Sequence, residues 1–357
     1  MEQILKELMS ETKYQLFHYP QTSKKQDIKY LIKRVLRPTH TPKRDFFSWP
    51  QALLAQSLET AGELETLKKY LNLWLEKGLP IHNIDNVMNG YSLLYVFEET
   101  KEEKYKQAAD KLYEYLIQYT KDMNGNIPYR KGTPYHIYVD GVGMIAPFLC
   151  RYGKVFGKEE AISLGIKQIQ DFLKYGMDEN TGLPYHGYDI KTEVKHGIIG
   201  WGRALGWLML AMADSIEYMH KGKEQQEMID AFRKLLETSL QYFRTDGFFS
   251  WQLPAMEGPK DTSATAMIGY ALKKGENYLN CEKNQWQKAF NDGNNERNFV
   301  EEALEKIEAA LLSSCKSGKI YDCSGECHGF SQYPQVYGAY PWSLGPGMRF
   351  LIMYNQK

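Results

Sequence analysis

The sequence predicts an all-α fold, a closed toroid of six helical hairpins, on three observations. Apolar segments of helical period begin near Trp49, Val87, Asp140, Trp201, Thr262 and Trp342, each following a polar or aromatic loop. Charged amphipathic segments lie between them, among them EEKYKQAADKLYEYLIQYT, KEEAISLGIKQIQDFLKYG and EQQEMIDAFRKLLETSLQYFR. Strand signals are sparse beside these.

The order of the elements follows from their composition. Met1 to Tyr19 mixes Glu2, Lys6, Glu7, Glu11 and Lys13 with Leu and Met, which reads as a helix of the mature chain and not as a secretory leader. The segments DGVGMIAPFLCRYG, WGRALGWLMLAMADS and DTSATAMIGYAL carry few charges, so they suit helices covered on most sides. The charged segments have one apolar stripe each and suit half-exposed outer helices. Buried and amphipathic helices alternating six times over give six inner helices inside six outer ones, an (α/α)6 barrel. No Pro-, Ser- and Gly-rich linker interrupts the pattern, so residues 1–357 are expected to form one domain. The polar, Asn- and Gly-rich stretch from Lys283 to Arg297 is the expected excursion between two helices.

Bulk properties exclude several classes of function. With 44 basic and 44 acidic residues the chain has no broad positive field to hold nucleic acid or an anionic membrane. No segment reaches the roughly 20 apolar residues that span a bilayer. Five cysteines, Cys150, Cys281, Cys315, Cys323 and Cys327, are an odd count in a large chain, which points to reduced thiols and a cytoplasmic setting. Cys323, Cys327 and His328 share one loop, but no second CxxC or HxxxH completes a metal template, so no metal is expected. No Gly-rich phosphate loop or dinucleotide fingerprint is present, and no cofactor is expected.

The 26 Tyr, 15 Phe and 7 Trp are the compositional oddity, many of them in loops such as NIPYRKGTPYHIY and GLPYHGYD. Sugar rings present flat C–H faces that stack on aromatics, and Tyr and Trp polar tips hydrogen-bond hydroxyls. An oligosaccharide is therefore the expected partner. In a toroid the loops before the inner helices open at one end, so Asp85, Asp140, Trp201, Arg203 and Asp261 converge on one bowl. Asp261, heading DTSATAM, reads equally as a helix N-cap.

In chain order, NIDNVMNGYSLLYVFEETKEEKY, YVDGVGMIAPFLCRYGK, LPYHGYD, GWGRALGW and DTSATAMIGYAL resemble the unsaturated glucuronyl and rhamnogalacturonyl hydrolases, glycoside hydrolase families 88 and 105. The resemblance runs from about Asp85 to Leu272. It implies a glycoside hydrolase that removes a 4,5-unsaturated uronic acid from the non-reducing end of lyase-cut oligosaccharides. It implies that Asp140 is the catalytic acid and base, and that Asp85 is a second acidic position touching sugar hydroxyls or sharing charge with Asp140. A carboxyl that donates a proton near neutral pH must keep it, which burial beside aromatics and a second carboxylate both favour.

His136, His186 and Asp189 are placed near the uronic acid, and Arg203, with its planar fork, is the expected holder of the substrate carboxylate. Trp201 and Trp207 are both expected at the sugar, but six residues apart they cannot both face the bowl at full strength, and Trp201 is the favoured stacking platform. The sequence departs from the family at RALGW, where Ala204 and Leu205 replace a small residue and an amide. It departs again where Tyr340 and Trp342 stand at an inner helix start that is often Gly-rich. Two rival readings are a hydrolase of saturated glycosides using Asp85, Asp140 and Asp261 as paired carboxylates, and a non-catalytic sugar-binding barrel.

Overall fold

The computed structural model describes residues 1–19, 28, 32, 46–279 and 299–356. Helix α1 (Glu2–His18) precedes α2 (Trp49–Thr60), α3 (Leu64–Glu76), the short α4 (Ile84–Val87), α5 (Gly90–Thr100) and α6 (Glu103–Gln118). Then follow α7 (Val139–Phe156), α8 (Glu159–Tyr175), α9 (Gly202–Ala213), α10 (Lys223–Leu240), α11 (Thr262–Leu279), α12 (Phe299–Ser313) and α13 (Pro341–Asn355). The stretch 283–297 and Cys281 lie outside the described residues.

Helices α2, α5, α7, α9, α11 and α13 each pack on the next, and α13 returns to α2, closing an inner ring. Their composition explains the placement: every residue of α9 is buried, from Gly202 to Ala213. The outer helices bury one stripe only. In α8 the buried positions are Ala161, Ile162, Gly165, Ile166, Gln168, Ile169 and Phe172, the spacing of one helical face. Helix α1 joins this outer set, burying Leu8 and Leu16 against α2 and α13. The all-α (α/α)6 barrel expected from the periodicity is the architecture found. No helix among the described residues is long and apolar enough to cross a membrane.

The inner ring is tight where α7 meets α9. A Cβ on Gly143 would stand 2.7 Å from Cε3 of Trp207 and 2.9 Å from its carbonyl oxygen. Trp207 fills this contact, 1% exposed and edge-on to Trp49 at 5.9 Å. It belongs to the core, which corrects its reading as a sugar-facing residue. Gly143→Ala is expected to destabilise the fold by about 1–3 kcal/mol, the usual cost of overpacking, read as a lowered urea midpoint at unchanged slope.

The few strands are short and lie in the loops. β1 (His136–Tyr138), β2 (Gly187–Asp189) and β3 (Val194–His196) form an antiparallel sheet in that order. β4 (Cys315–Lys316) pairs with β5 (Lys319–Ile320), and β6 (Cys323–Ser324) with β7 (Tyr337–Gly338). Cys150, Cys315, Cys323 and Cys327 are free thiols.

Candidate active site

A cavity of about 970 Å³ opens where the inner helices begin, lined by Asp85, Asp140, His186, Arg203, Glu326 and Trp342 among others. Local structure delivers each. Asn83 caps α4 by accepting from the Asp85 N–H at 3.1 Å, and Asn86 closes the capping box and donates to the Phe47 carbonyl. That turn holds Asp85 at the cavity edge, where Tyr129 hydrogen-bonds its carboxylate. Burial, then the Asp85 charge, pushes the Tyr129 hydroxyl well above its ordinary pKa, so it stays a donor.

Asp140 stands in the first turn of α7. The preceding strand β1 pairs with β2 in the register Tyr138↔Gly187, and the Val139 N–H donates to the His186 carbonyl at 3.0 Å. This pairing sets His186 beside Asp140: Nε2 lies 2.9 Å from Asp140 Oδ2, and Nδ1 lies 2.7 Å from the Tyr333 hydroxyl. His186 is 1% exposed, flanked edge-on by Trp201 and Tyr138. Two tautomers satisfy the chain. If Tyr333 donates to Nδ1, Nε2–H donates to an ionised Asp140; if Nδ1–H donates to Tyr333, Nε2 accepts from a protonated Asp140. The imidazole therefore has a partner for either charge state of the carboxyl.

The far wall comes from the segment after β6. Asp261 is fully buried and accepts from the Ser263 N–H and hydroxyl at 2.9 and 2.7 Å and from the Ser324 N–H and hydroxyl at 3.1 and 2.7 Å. It caps α11, ties β6 to that helix, and does not line the cavity. Arg203 donates through Nη1 to Ser263 Oγ, Ser324 Oγ and the Ser324 carbonyl, and through Nη2 to the Gly325 carbonyl at 2.8 Å. Its guanidinium lies over Trp201 at 4.6 Å. These bonds commit it to holding the strand that presents Glu326 and Cys327, although it also reaches the cavity surface. Burial, reinforced by the Asp140 charge, outweighs His328 and Arg203 and raises the Glu326 carboxyl above its ordinary range. Burial beside Asp140 pushes the Cys327 thiol up to about 12, so it remains a neutral thiol 4.0 Å from His186 Nε2.

A model of Glycosyl Hydrolase Family 88 matches residues 41–306. The chain belongs to glycosyl hydrolase family 88. The unsaturated rhamnogalacturonyl hydrolase YesR of Bacillus subtilis is 26% identical over 257 residues, covering 68% of this chain and 74% of that protein. A possible member of glycoside hydrolase family 105 from Salmonella enterica superposes with a TM-score of 0.81 at 15% identity, covering 98% of this chain and 93% of that one. The unsaturated glucuronyl hydrolase of Bacillus sp. GL1 gives 0.68 at 15% identity, with 88% of each chain covered. At such identities the structural likeness speaks for the barrel alone. The family match and YesR together make this chain a glycoside hydrolase of the unsaturated glycuronyl and rhamnogalacturonyl hydrolase family, acting on oligosaccharide.

In this family 88 hydrolase the residues singled out from sequence fall into two groups. Asp85, Asp140, His186, Arg203 and Trp342 line the cavity. Trp201 is 0% exposed and stands behind His186, so it packs the imidazole and offers no stacking platform. Trp342 borders the cavity but is likewise buried, lying parallel to Tyr340 at 4.6 Å and donating through Nε1 to the Ser324 carbonyl. His136 and Asp189 pair with each other on β1 and β2, outside the cavity lining, with Nε2 3.3 Å from Oδ2. Burial works to raise the Asp189 carboxyl, but the Thr192 and Lys191 N–H groups and His136 win and hold it below its ordinary value.

Sequence reasoning missed Tyr129, Arg130, Lys131, Glu326, Phe330 and Tyr333. Tyr333 donates its role from 147 residues away, a pairing no local period encodes. As a positioning residue it acts through His186. Tyr333→Phe is expected to cost about 1–3 kcal/mol of transition-state stabilisation, on the order of 10-fold to 100-fold in kcat/KM. It should also displace the pH profile, because Nδ1 is then left without a partner in either tautomer of the imidazole. A loss in kcat/KM with an unmoved pH profile would assign Tyr333 a packing role only.

Proposed function

We propose that the chain hydrolyses the bond between a 4,5-unsaturated uronyl residue at the non-reducing end and the next sugar, with rhamnogalacturonan-type fragments as preferred substrates. The observation that carries this reading is the Asp140–His186–Tyr333 chain on the wall of the cavity. Asp140 protonates C4 of the vinyl ether, leaving positive charge shared by C5 and the ring oxygen. The carboxylate then takes a proton from water as it adds to C5. The resulting hemiketal opens, and the neighbouring sugar leaves from C1 with its oxygen protonated. His186 holds the carboxyl in both charge states, and Asp85 with Tyr129 supplies an acceptor and a donor for sugar hydroxyls. Arg130 and Lys131 line the same cavity and give the substrate carboxylate cationic partners, with His328 beside them and Arg203 as the inner wall. The rhamnogalacturonan preference rests on the likeness to YesR. The free thiols support a cytoplasmic setting.

A second reading, hydrolysis of saturated glycosides, draws on Asp85, Asp140 and Glu326 lining one cavity. The near-UV absorbance of the C4–C5 double bond separates the two. We expect it to decay when protein meets unsaturated disaccharides cut by lyases from pectin, glycosaminoglycan and ulvan, fastest with the pectin-derived rhamnogalacturonan fragment. No decay with any of them, from folded protein, overturns the reading in favour of saturated substrates.

A further inference from the structure

Outside the cavity, the three-stranded sheet brings together a set of ligands that the sequence spacing does not announce. His136, Asp189 and His196 lie on β1, β2 and β3, and each offers an atom within 4.8 Å of the others. The register places them on one face: His136 opposes Asp189, Asp189 opposes Val194, and His196 lies two residues on, where the side chain returns to that face. We propose that this His136–Asp189–His196 cluster is a binding site for a borderline divalent transition-metal ion, Zn²⁺ being the best match.

The donor set is the first reason. Two imidazoles and one carboxylate suit Zn²⁺ and its neighbours, whereas Ca²⁺ and Mg²⁺ want oxygen ligands. Geometry is the second. Bonds of ~2.0–2.2 Å around a tetrahedral ion hold ligand atoms about 3.4 Å apart, and His136 Nε2 already lies 3.3 Å from Asp189 Oδ2. The third reason is the outer layer. Asp189 Oδ1 accepts from the Lys191 and Thr192 N–H groups at 2.8 and 3.0 Å, which turns Oδ2 toward the two histidines. Phe330 stacks on His196 at 4.9 Å and 13°, and lies 5.5 Å from His136, fixing both rings from one side. All three ligands are half-buried, leaving room for water in the remaining position.

The ion has a structural consequence for the cavity without entering it. Phe330 also lies parallel to Tyr138 at 3.9 Å and edge-on to His186 at 5.5 Å. An ion joining β1, β2 and β3 therefore clamps the sheet whose first strand leads into α7, and braces the wall behind Asp140 and His186.

Calorimetric titration of the full chain with Zn²⁺ in metal-free buffer tests this without substrate, so it stands or falls independently of the proposed reaction. We expect about one ion per chain and a rise in Tm with added Zn²⁺. His136→Ala, His196→Ala and Asp189→Asn should each weaken binding by at least about 10-fold to 100-fold, the range already set by losing an outer partner, with circular dichroism reporting the fold. Cys327→Ser should bind as the parent does, because the second cluster of possible ligands, Asp140, His186 and Cys327, contains that thiol. With Co²⁺ as the probe, visible bands without a near-UV thiolate band are expected. No uptake by the parent, undiminished binding by folded His196→Ala, or loss of binding in Cys327→Ser each overturns the assignment.

Discussion

Asp140→Asn is expected to abolish turnover while leaving the fold and substrate binding nearly intact. General acid–base catalysis by one positioned group is worth about 10²–10⁴-fold, and here one carboxyl is asked both to deliver the proton to C4 and to take one from water. The loss should therefore lie near the upper end, about 10⁴-fold in kcat. The asparagine is close to isosteric, and its amide oxygen still accepts from His186 Nε2–H across the 2.9 Å gap, so KM should move little. A fall in kcat with preserved KM separates lost chemistry from lost binding. Retention of activity within about tenfold of the parent would remove Asp140 from the chemical step. It would direct attention to Glu326, a carboxyl of the same cavity that burial raises above its ordinary range, and Glu326→Gln would then be the variant expected to fail.

The barrel was legible because its signal is periodic. The six inner starts read from the sequence, Trp49, Val87, Asp140, Trp201, Thr262 and Trp342, fall within three residues of the observed starts Trp49, Gly90, Val139, Gly202, Thr262 and Pro341. The one offset larger than a single residue, at Val87, has a cause: the separate turn Ile84–Val87 presents Asp85 before the long helix begins. Site residues at inner N-termini inherited that legibility, and Asp85, Asp140 and Arg203 all reach the cavity. What failed was orientation. Arg203 has the fork suited to a carboxylate, yet its terminal nitrogens meet the Ser324 and Gly325 backbone and the Ser263 hydroxyl. Asp261 has the position of a catalytic acid but spends its carboxylate on four donors of Ser263 and Ser324.

The segment from Glu326 to Tyr333 was hidden for a different reason. It has no period, and its contacts to His186 and Tyr138 are made across more than a hundred residues of chain. The usable signal was chemical: Glu326, Cys327, His328, Phe330 and Tyr333 crowd eight positions of a loop. Cys327 and His328 had been weighed only as metal ligands. The three-residue strands that set His186 beside Asp140 are likewise too short to show an alternation.

The second large effect is on stability. Asp214→Asn is expected to destabilise the barrel by about 3–5 kcal/mol, the range for removing one partner of a buried ion pair. Asp214 ends α9 and is 2% exposed; its carboxylate accepts from Arg349 at 2.8 and 3.2 Å, from Lys274 at 2.8 Å and from the Tyr270 hydroxyl at 2.5 Å. Those partners come from α11 and α13, so one anion joins three consecutive inner helices. A neutral amide leaves the Arg349 guanidinium, itself 4% exposed, without the carboxylate it is hydrogen-bonded to. Burial works to raise the Asp214 carboxyl, but Arg349 and then Lys274 overcome it and hold it well below the usual carboxylate range. A depressed folded pKa stabilises above the ordinary carboxyl pKa and loses that contribution only as pH falls through the depressed value. The gap between parent and Asp214→Asn in guanidinium midpoint should thus be as wide at pH 5 as at pH 7, and should narrow only in stronger acid. Removing both charges, as in Asp214→Leu with Arg349→Met, should recover much of the loss, since desolvation then falls on neither group. The eleven residue steps from Arg203 to Asp214 set this cluster about 16 Å along the α9 axis from Arg203 and the cavity. Activity per folded molecule should therefore be unchanged. A gap under about 1 kcal/mol, or one that closes between pH 7 and pH 5, would show that hydrogen bonding of the neutral groups, and not the charge of Asp214, holds these three helices together.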